Sequence, residues 1–366
     1  MSTEIQTKKR ESGLELFRIL TMVLIVSHHY FANSGLNGEL YKELRLSFNS
    51  VFLLLFGWGG KTGINCFVLI TGYFMCKSKI TVRKYLKLIL EVWFYKVTIF
   101  LVFLISGYQK LSAGVLIKAL LPIISISDAF TSAYLLFYLF IPFFNILTEN
   151  MNKKQHLLLI VLCTGVYTIL PTMLIPISFN YVSWFTVIYF IGAYLRLYPE
   201  KWFSDRRKWA AISIGMLMLS WLSVVVIFAV LTMLRDNGIV ERLLAWNGNL
   251  CYYFVSDSNK ILALFPAIAF FMFFANSRIK YSAIINKIAA STFGVLLIHA
   301  NSDAMRRWLW RDTLKNVEFF SSKLLFAHAI ISVIAIYVVC TCIDMLRIKY
   351  PEKQFFKWYD KKYGGK

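Results

Sequence analysis

Several chemistries are missing from this chain as motifs. Its six cysteines include no CxxC pair, and no His/Cys cluster has zinc-finger spacing, so a structural zinc site has no ligand set to build on. No HExxH is present for a zinc hydrolase, no Gly-rich phosphate loop for a nucleotide, and no GxSxG elbow for a serine hydrolase. No repeat of the solenoid kind is found. The segment His299-Ala300-Asn301-Ser302-Asp303 is one residue short of a His-x4-Asp box and is not read as one. Acidic residues are scarce too, 19 against 40 Lys and Arg, giving a net charge of +21. Metal ligation is not expected, and the cysteines read as small apolar packing residues.

What fills the chain instead is apolar sequence. Of 366 residues 58% are hydrophobic and 17% aromatic, and apolar runs of spanning length recur from end to end. The composition predicts an all-α, polytopic helical membrane protein forming one integral-membrane domain over residues 1–366, with a basic tail at 347–366. Ten spans fit: Leu14–Ala32, Lys61–Cys76, Leu86–Ser106, Thr131–Leu147, His156–Ile175, Tyr181–Leu197, Trp209–Met233, Asn259–Ala275, Ala283–Ala300 and Leu324–Leu346. Two further apolar pieces, Leu46–Trp58 and Ile117–Ile126, read as half-helices or interfacial segments; either, as a full span, would flip the tail. The first run follows Lys8-Lys9-Arg10 but contains Arg18 and two histidines and has no small-residue cleavage site. It therefore reads as a retained helix rather than a signal peptide.

Charge sets the expected topology. With the N-terminus cytoplasmic, inward loops and the tail hold 25 basic residues and outward loops 12. That bias favours both termini inside, and it explains the positive charge as a topology signal and a contact with anionic membrane lipids, with no nucleic acid as partner. Trp184, Trp202 and Trp209 fit an interfacial belt.

Ionisable residues inside spans are costly and point to function. Arg18 and His29 are eleven residues apart, so at about 100° per residue they return to within about 20° of one another, roughly 16 Å apart along the axis. Glu15 lies three residues before Arg18 on the same face and can hold it as an ion pair. Histidine is the side chain that moves protons near neutral pH, which makes His29 the candidate base and Arg18 a partner at the inward end. The bland alternative for Arg18 is snorkelling to the interface. His28 points about 100° away and ranks second, as a substrate-side candidate. His299 closes an apolar run at the outward side and is either a plain helix-end histidine or a substrate-side residue. His156 reads as interfacial and His328 as packing. Glu91 and Lys96, inside the third span, read as buried partners of other helices or as part of a polar path.

Several blocks then carry a resemblance, in order, over nearly the whole chain. Glu15-Leu16-Phe17-Arg18 with His29, Gly63-Ile64-Asn65-Cys66-Phe67-Val68-Leu69-Ile70-Thr71-Gly72-Tyr73-Phe74, Arg83-Lys84-Tyr85-Leu86-Lys87, the run from Ala133 to Asn145 and Thr292-Phe293-Gly294-Val295-Leu296-Leu297-Ile298-His299 resemble the integral-membrane acyltransferase-3 family. The resemblance implies transfer of an acyl group, usually acetyl, from cytoplasmic acyl-CoA (acetyl-CoA) across the cell membrane to a hydroxyl of an extracytoplasmic glycan or lipid-linked sugar. It also implies His29, Arg18 and Glu15 as catalytic, with Arg18, Arg83 and Lys87 on the CoA side. Where some members have a second arginine in the third helix, this chain has Lys87 or Ile89 nearby, and a lysine keeps the charge but not the planar fork.

Two other classes compete. A glycan flippase or polymerase would be expected to show more spans with internal symmetry or a large outward loop, and the largest here, Leu234–Ser258, is short. A non-catalytic sensor of the same fold would be expected to lose Arg18 or His29, and both are present.

Overall fold

The computed structural model describes residues 11–124, 130–175 and 177–363, all helix, turn or coil. Lys8, Lys9, Arg10, Gly364 and Lys366 lie outside the described residues. Seven helices are long and apolar enough to cross a membrane, and an eighth span forms if a helix pair bent by 92° is counted as one. In chain order the apolar helices are α1 (Ser12–Ala32), α2 (Phe48–Met75), α3 (Val82–Ile105), α4 (Phe130–Asn150), α5 (Lys153–Thr172), α6 (Tyr181–Leu197), α7 (Arg206–Met233), α8 (Ile261–Ala275), the bent pair α9 (Ala283–His299) and α10 (Asp303–Thr313), and α11 (Leu325–Tyr363). Each of the ten expected spans falls on one of these elements. The chain is an all-α polytopic membrane protein.

The two short pieces are resolved differently. Leu46–Trp58 becomes the first half of α2, joined through a slight break at Trp58 and Gly59, so it adds no span. From Ile117–Ile126 the structure forms the end of a helix at Ala113–Leu120, and eight residues rise only about 12 Å; Ser125 and Ile126 lie outside the described residues.

Helix α1 occupies the middle of the bundle, packed by α2, α8, α9 and α11. At the α2–α6 crossing the backbones nearly touch. A Cβ on Gly72 would fall 2.7 Å from the Tyr189 carbonyl oxygen, and one on Gly192 would fall 2.7 Å from that of Leu69. Small residues at such a crossing let two helices gain dispersion contacts that lipid does not supply. Around this core, α3, α5 and α7 turn most of their apolar surface outward: Leu101, Leu158, Val161, Met218 and Leu222 are exposed, as expected of a lipid-facing shell.

Residues expected at the interface are buried instead: Trp184 is wholly covered, its Nε1 donating to Asn65 Oδ1 at 2.9 Å, and Trp209 is buried too. His156 is fully buried rather than interfacial, its Nε2 3.0 Å from the Phe190 carbonyl and its ring edge-on to Tyr194. The basic tail is helical as far as Tyr363: α11 runs through a π-helical turn at Ile348–Glu352 into an amphipathic end at Lys353–Tyr363.

Candidate active site

The His29 end of α1 opens into a cavity of about 220 Å³. Met22, Ile25 and His29 line it, which are successive positions on the Arg18 stripe. The opposite walls come from α2 (Lys61, Ile64, Phe67), α3 (Lys96), the start of α4 (Phe130, Thr131) and the bent pair (Leu297, Asn301, Arg306). The bend runs through three irregular residues, Ala300 to Ser302, and puts Ala300 and Asn301 against the cavity, where non-helical backbone is tolerated.

The histidines define one another's protons. Nδ1 of His299 lies 2.6 Å from the Val295 carbonyl, and a carbonyl only accepts, so Nδ1 carries the hydrogen. In the neutral ring Nε2 of His299 is then an acceptor. It sits 2.9 Å from Nδ1 of His29, which must donate. That leaves Nε2 of His29 as a bare lone pair on a cavity-lining residue, the tautomer a general base requires. His299 itself is fully buried and does not line the cavity. It stands behind His29, off the cavity wall.

Replacing His299 separates this arrangement from simple packing. Glutamine can present an amide oxygen where Nε2 stood, whereas leucine fills the space and accepts nothing. His299→Leu is expected to lower the acyl-transfer rate about 10- to 100-fold, the cost of an unpaired buried donor, and His299→Gln to recover most of it. Equal losses in the two variants, measured on equally folded protein, would contradict the tautomer argument.

His28 comes closer to His29 than its 100° offset suggested. The two rings are 5.8 Å apart and line one cavity, because the cavity spans more of the helix circumference than one stripe. Its Nδ1 donates to the Gly57 carbonyl at 2.6 Å, and Gly60 makes room: a Cβ there would fall 2.2 Å from the His28 ring. His328 pairs with the Tyr30 hydroxyl at 2.8 Å and stacks on Phe319, a packing role.

At the other end of the stripe, Arg18 contacts Glu15 at 3.1 Å, with Glu15 buried and the Arg18 side chain 24% exposed. Arg18 does not line the cavity; Met22, one turn further along α1, is the nearest stripe residue that does. Arg83 makes a bidentate pair with Asp360 at 2.8 and 2.9 Å and lies over the Phe356 ring, and Lys87 pairs with Glu352 at 2.7 Å. Both cations are about half exposed and grip the amphipathic end of α11.

Glu91 and Lys96, close in sequence, separate in role. Glu91 pairs with Arg347 at 3.0 Å in a buried cluster with Asp344 and Tyr95. Lys96 lines the cavity and donates to the Asn301 carbonyl at 2.5 Å. Sequence reasoning missed Lys61, Asn301 and Arg306 as cavity residues, having counted the two cations only as loop charges. Lys61 is anchored by the Tyr181 hydroxyl at 2.6 Å and Asp257 at 3.2 Å. The partners of Lys61 are over a hundred positions away, and the carbonyl of Asn301 meets Lys96 across 205, so spacing along the chain does not mark them. Cys251 is no nucleophile: it is buried against the Tyr41 hydroxyl, and burial pushes its thiol up to about 12.

The described residues thus form a polytopic helical bundle with a histidine pair at the wall of an internal cavity. The family model described as Acyltransferase domain, acyltransferase-3, matches residues 11–345, nearly the whole chain, and the chain belongs to that family. No curated protein and no solved structure matches it significantly. The protein is a multi-pass membrane acyltransferase.

Proposed function

We propose that the chain transfers an acyl group, acetyl being the expected one, from cytoplasmic acyl-CoA to a hydroxyl of a glycan or lipid-linked sugar on the far side of the cell membrane. The observation that carries the reading is His29, held by His299 with Nε2 bare at the cavity wall. An alcohol is a weak nucleophile while it keeps its proton. Nε2 of His29 takes that proton as the oxygen attacks the thioester carbonyl; the new C–O bond replaces the C–S bond, and the thiolate leaves with CoA. The imidazolium so formed gives up its proton to solvent or to the leaving sulfur before the next turnover.

The donor is assigned to the opposite face. Arg18 lies about 16 Å from His29 along α1, and Arg83 and Lys87 stand on the face that carries the end of α11. Phosphates of CoA suit Arg83 for its planar fork, and binding there would compete with Asp360 for the guanidinium. The 25-to-12 distribution of basic residues favours that face as cytoplasmic.

Proteoliposomes with the protein in one known orientation test this reading. Labelled acetyl-CoA supplied on the face carrying residues 353–363, with a glycan acceptor on the other, is expected to give labelled glycan, and the reverse arrangement is not. Transfer that does not depend on the side of the donor would overturn it.

A further inference from the structure

The cavity at His29 continues into a second one of about 360 Å³, and the two share Lys96, Thr131, Asn301 and Arg306. Together they make one cleft, walled by α3, α4 and the bend between α9 and α10. Its charge is lopsided. Lys61, Lys96, Lys118 and Arg306 line it, and the only carboxylate lining it among the described residues is Asp303. Asp257 neutralises Lys61 from outside the cleft at 3.2 Å. Asp303 is 3.4 Å from Arg306, but its side chain is 87% exposed, so water weakens that pair. Lys96 and Lys118 have no carboxylate at ion-pair distance among the described residues, and the buried Nε of Arg306 has no hydrogen-bond partner there.

Two cations with no carboxylate at ion-pair distance among the described residues, and an unused guanidinium donor, in a cleft with apolar walls, focus a positive potential on whatever binds there. Lys96 stands out, because it projects from the apolar second half of α3 and uses one of its three donors on the Asn301 carbonyl. A neutral sugar hydroxyl leaves such charges uncompensated. An oxyanion satisfies them and fixes the sugar beside His29.

We propose that the acceptor carries an anionic group, a carboxylate or a phosphate, which Lys96 and Arg306 bind next to His29. The proposal deepens the acyl-transfer reading, and it rests on that reading only for calling the bound sugar an acceptor.

Binding to the full chain in neutral-lipid nanodiscs tests it without any transfer step. Methyl glucoside, methyl glucuronoside and a methyl glucoside phosphate ester would be compared by equilibrium dialysis. At least one anionic sugar is expected to bind about tenfold tighter than the neutral one, the worth of one charge-assisted hydrogen bond. The compound that gains shows whether the group is a carboxylate or a phosphate. In Lys96→Gln/Arg306→Gln the advantage is expected to vanish while methyl glucoside still binds; in Lys42→Gln, an exposed lysine outside the cleft, it is expected to persist. Three sugars bound alike by the unaltered chain, or an advantage surviving the double substitution, would overturn the proposal. Loss of the acyl-transfer reading would show separately, as absence of labelled product with any sugar, and would leave the binding ratio intact.

Discussion

Replacing His29 by alanine is expected to reduce acyl transfer by about two to four orders of magnitude while the protein still inserts and accumulates. The loss follows from the site's construction. His29 holds the lone pair at the cavity wall, and His299 behind it fixes which nitrogen is bare. His28 shares the cavity and also has its Nδ1 tied to a carbonyl, so it is the sharpest available control. His28→Ala is expected to cost far less, because His28 lies off the stripe that leads back to Arg18. Transfer assays on membranes with matched protein levels decide the matter. Near-normal transfer by His29→Ala together with its loss in His28→Ala would exchange the roles of the two.

The largest stability effect is expected at Arg347. Its guanidinium contacts Asp344 at 2.8 Å, Glu91 at 3.0 Å and Glu352 at 2.6 Å, and its side chain is only 5% exposed. Arg347→Ala would leave two buried carboxylates without their cation, a change that costs about 3–5 kcal/mol where one partner of a buried pair is removed. Arg83→Ala breaks an ion pair that is about half exposed on both sides, and such pairs contribute roughly 0–1 kcal/mol. Thermal unfolding in detergent should therefore rank Arg347→Ala far below Arg83→Ala. Similar midpoints for the two would mean that the buried cluster is not a structural clamp.

The readable part of this chain was whatever a single helix encodes. Apolar runs gave the spans, because a helix crossing lipid must be apolar over its length whatever its neighbours are. The relation of Glu15, Arg18 and His29 was readable for a similar reason: helical periodicity is local. The limits came wherever a residue's meaning lay in a distant partner. His29 meets His299 across 270 positions and Arg83 meets Asp360 across 277, so neither the tautomer lock nor the grip on the last helix could be read from spacing. Lys96 and Glu91 illustrate the same limit within one helix. Five residues apart, they lie about 140° apart around the axis, and only the packing of α9 and α11 sends one to the cavity and the other to a buried ion cluster. His28 shows what an angular offset can and cannot say: it excludes a residue from a stripe but not from a wide cavity.

The last helix run has a mechanical consequence. Its 39 residues would rise about 58 Å if wholly α-helical, against a hydrocarbon core of about 30 Å, so much of it stands beyond the apolar slab. Within the slab it leans on α9 so closely that a Cβ on Gly294 would fall 2.2 Å from the Asp344 carboxylate, five residues before His299. Outside it, Asp360 and Glu352 are latched to α3. The helix is thus a lever with one arm at the membrane surface and the other against the wall that holds the histidine pair. A change in bilayer thickness is accommodated in part by tilting such a lever against its packing, and salt loosens its exposed Arg83–Asp360 latch. Turnover should therefore vary with acyl-chain length of the surrounding lipid even when both substrates are saturating.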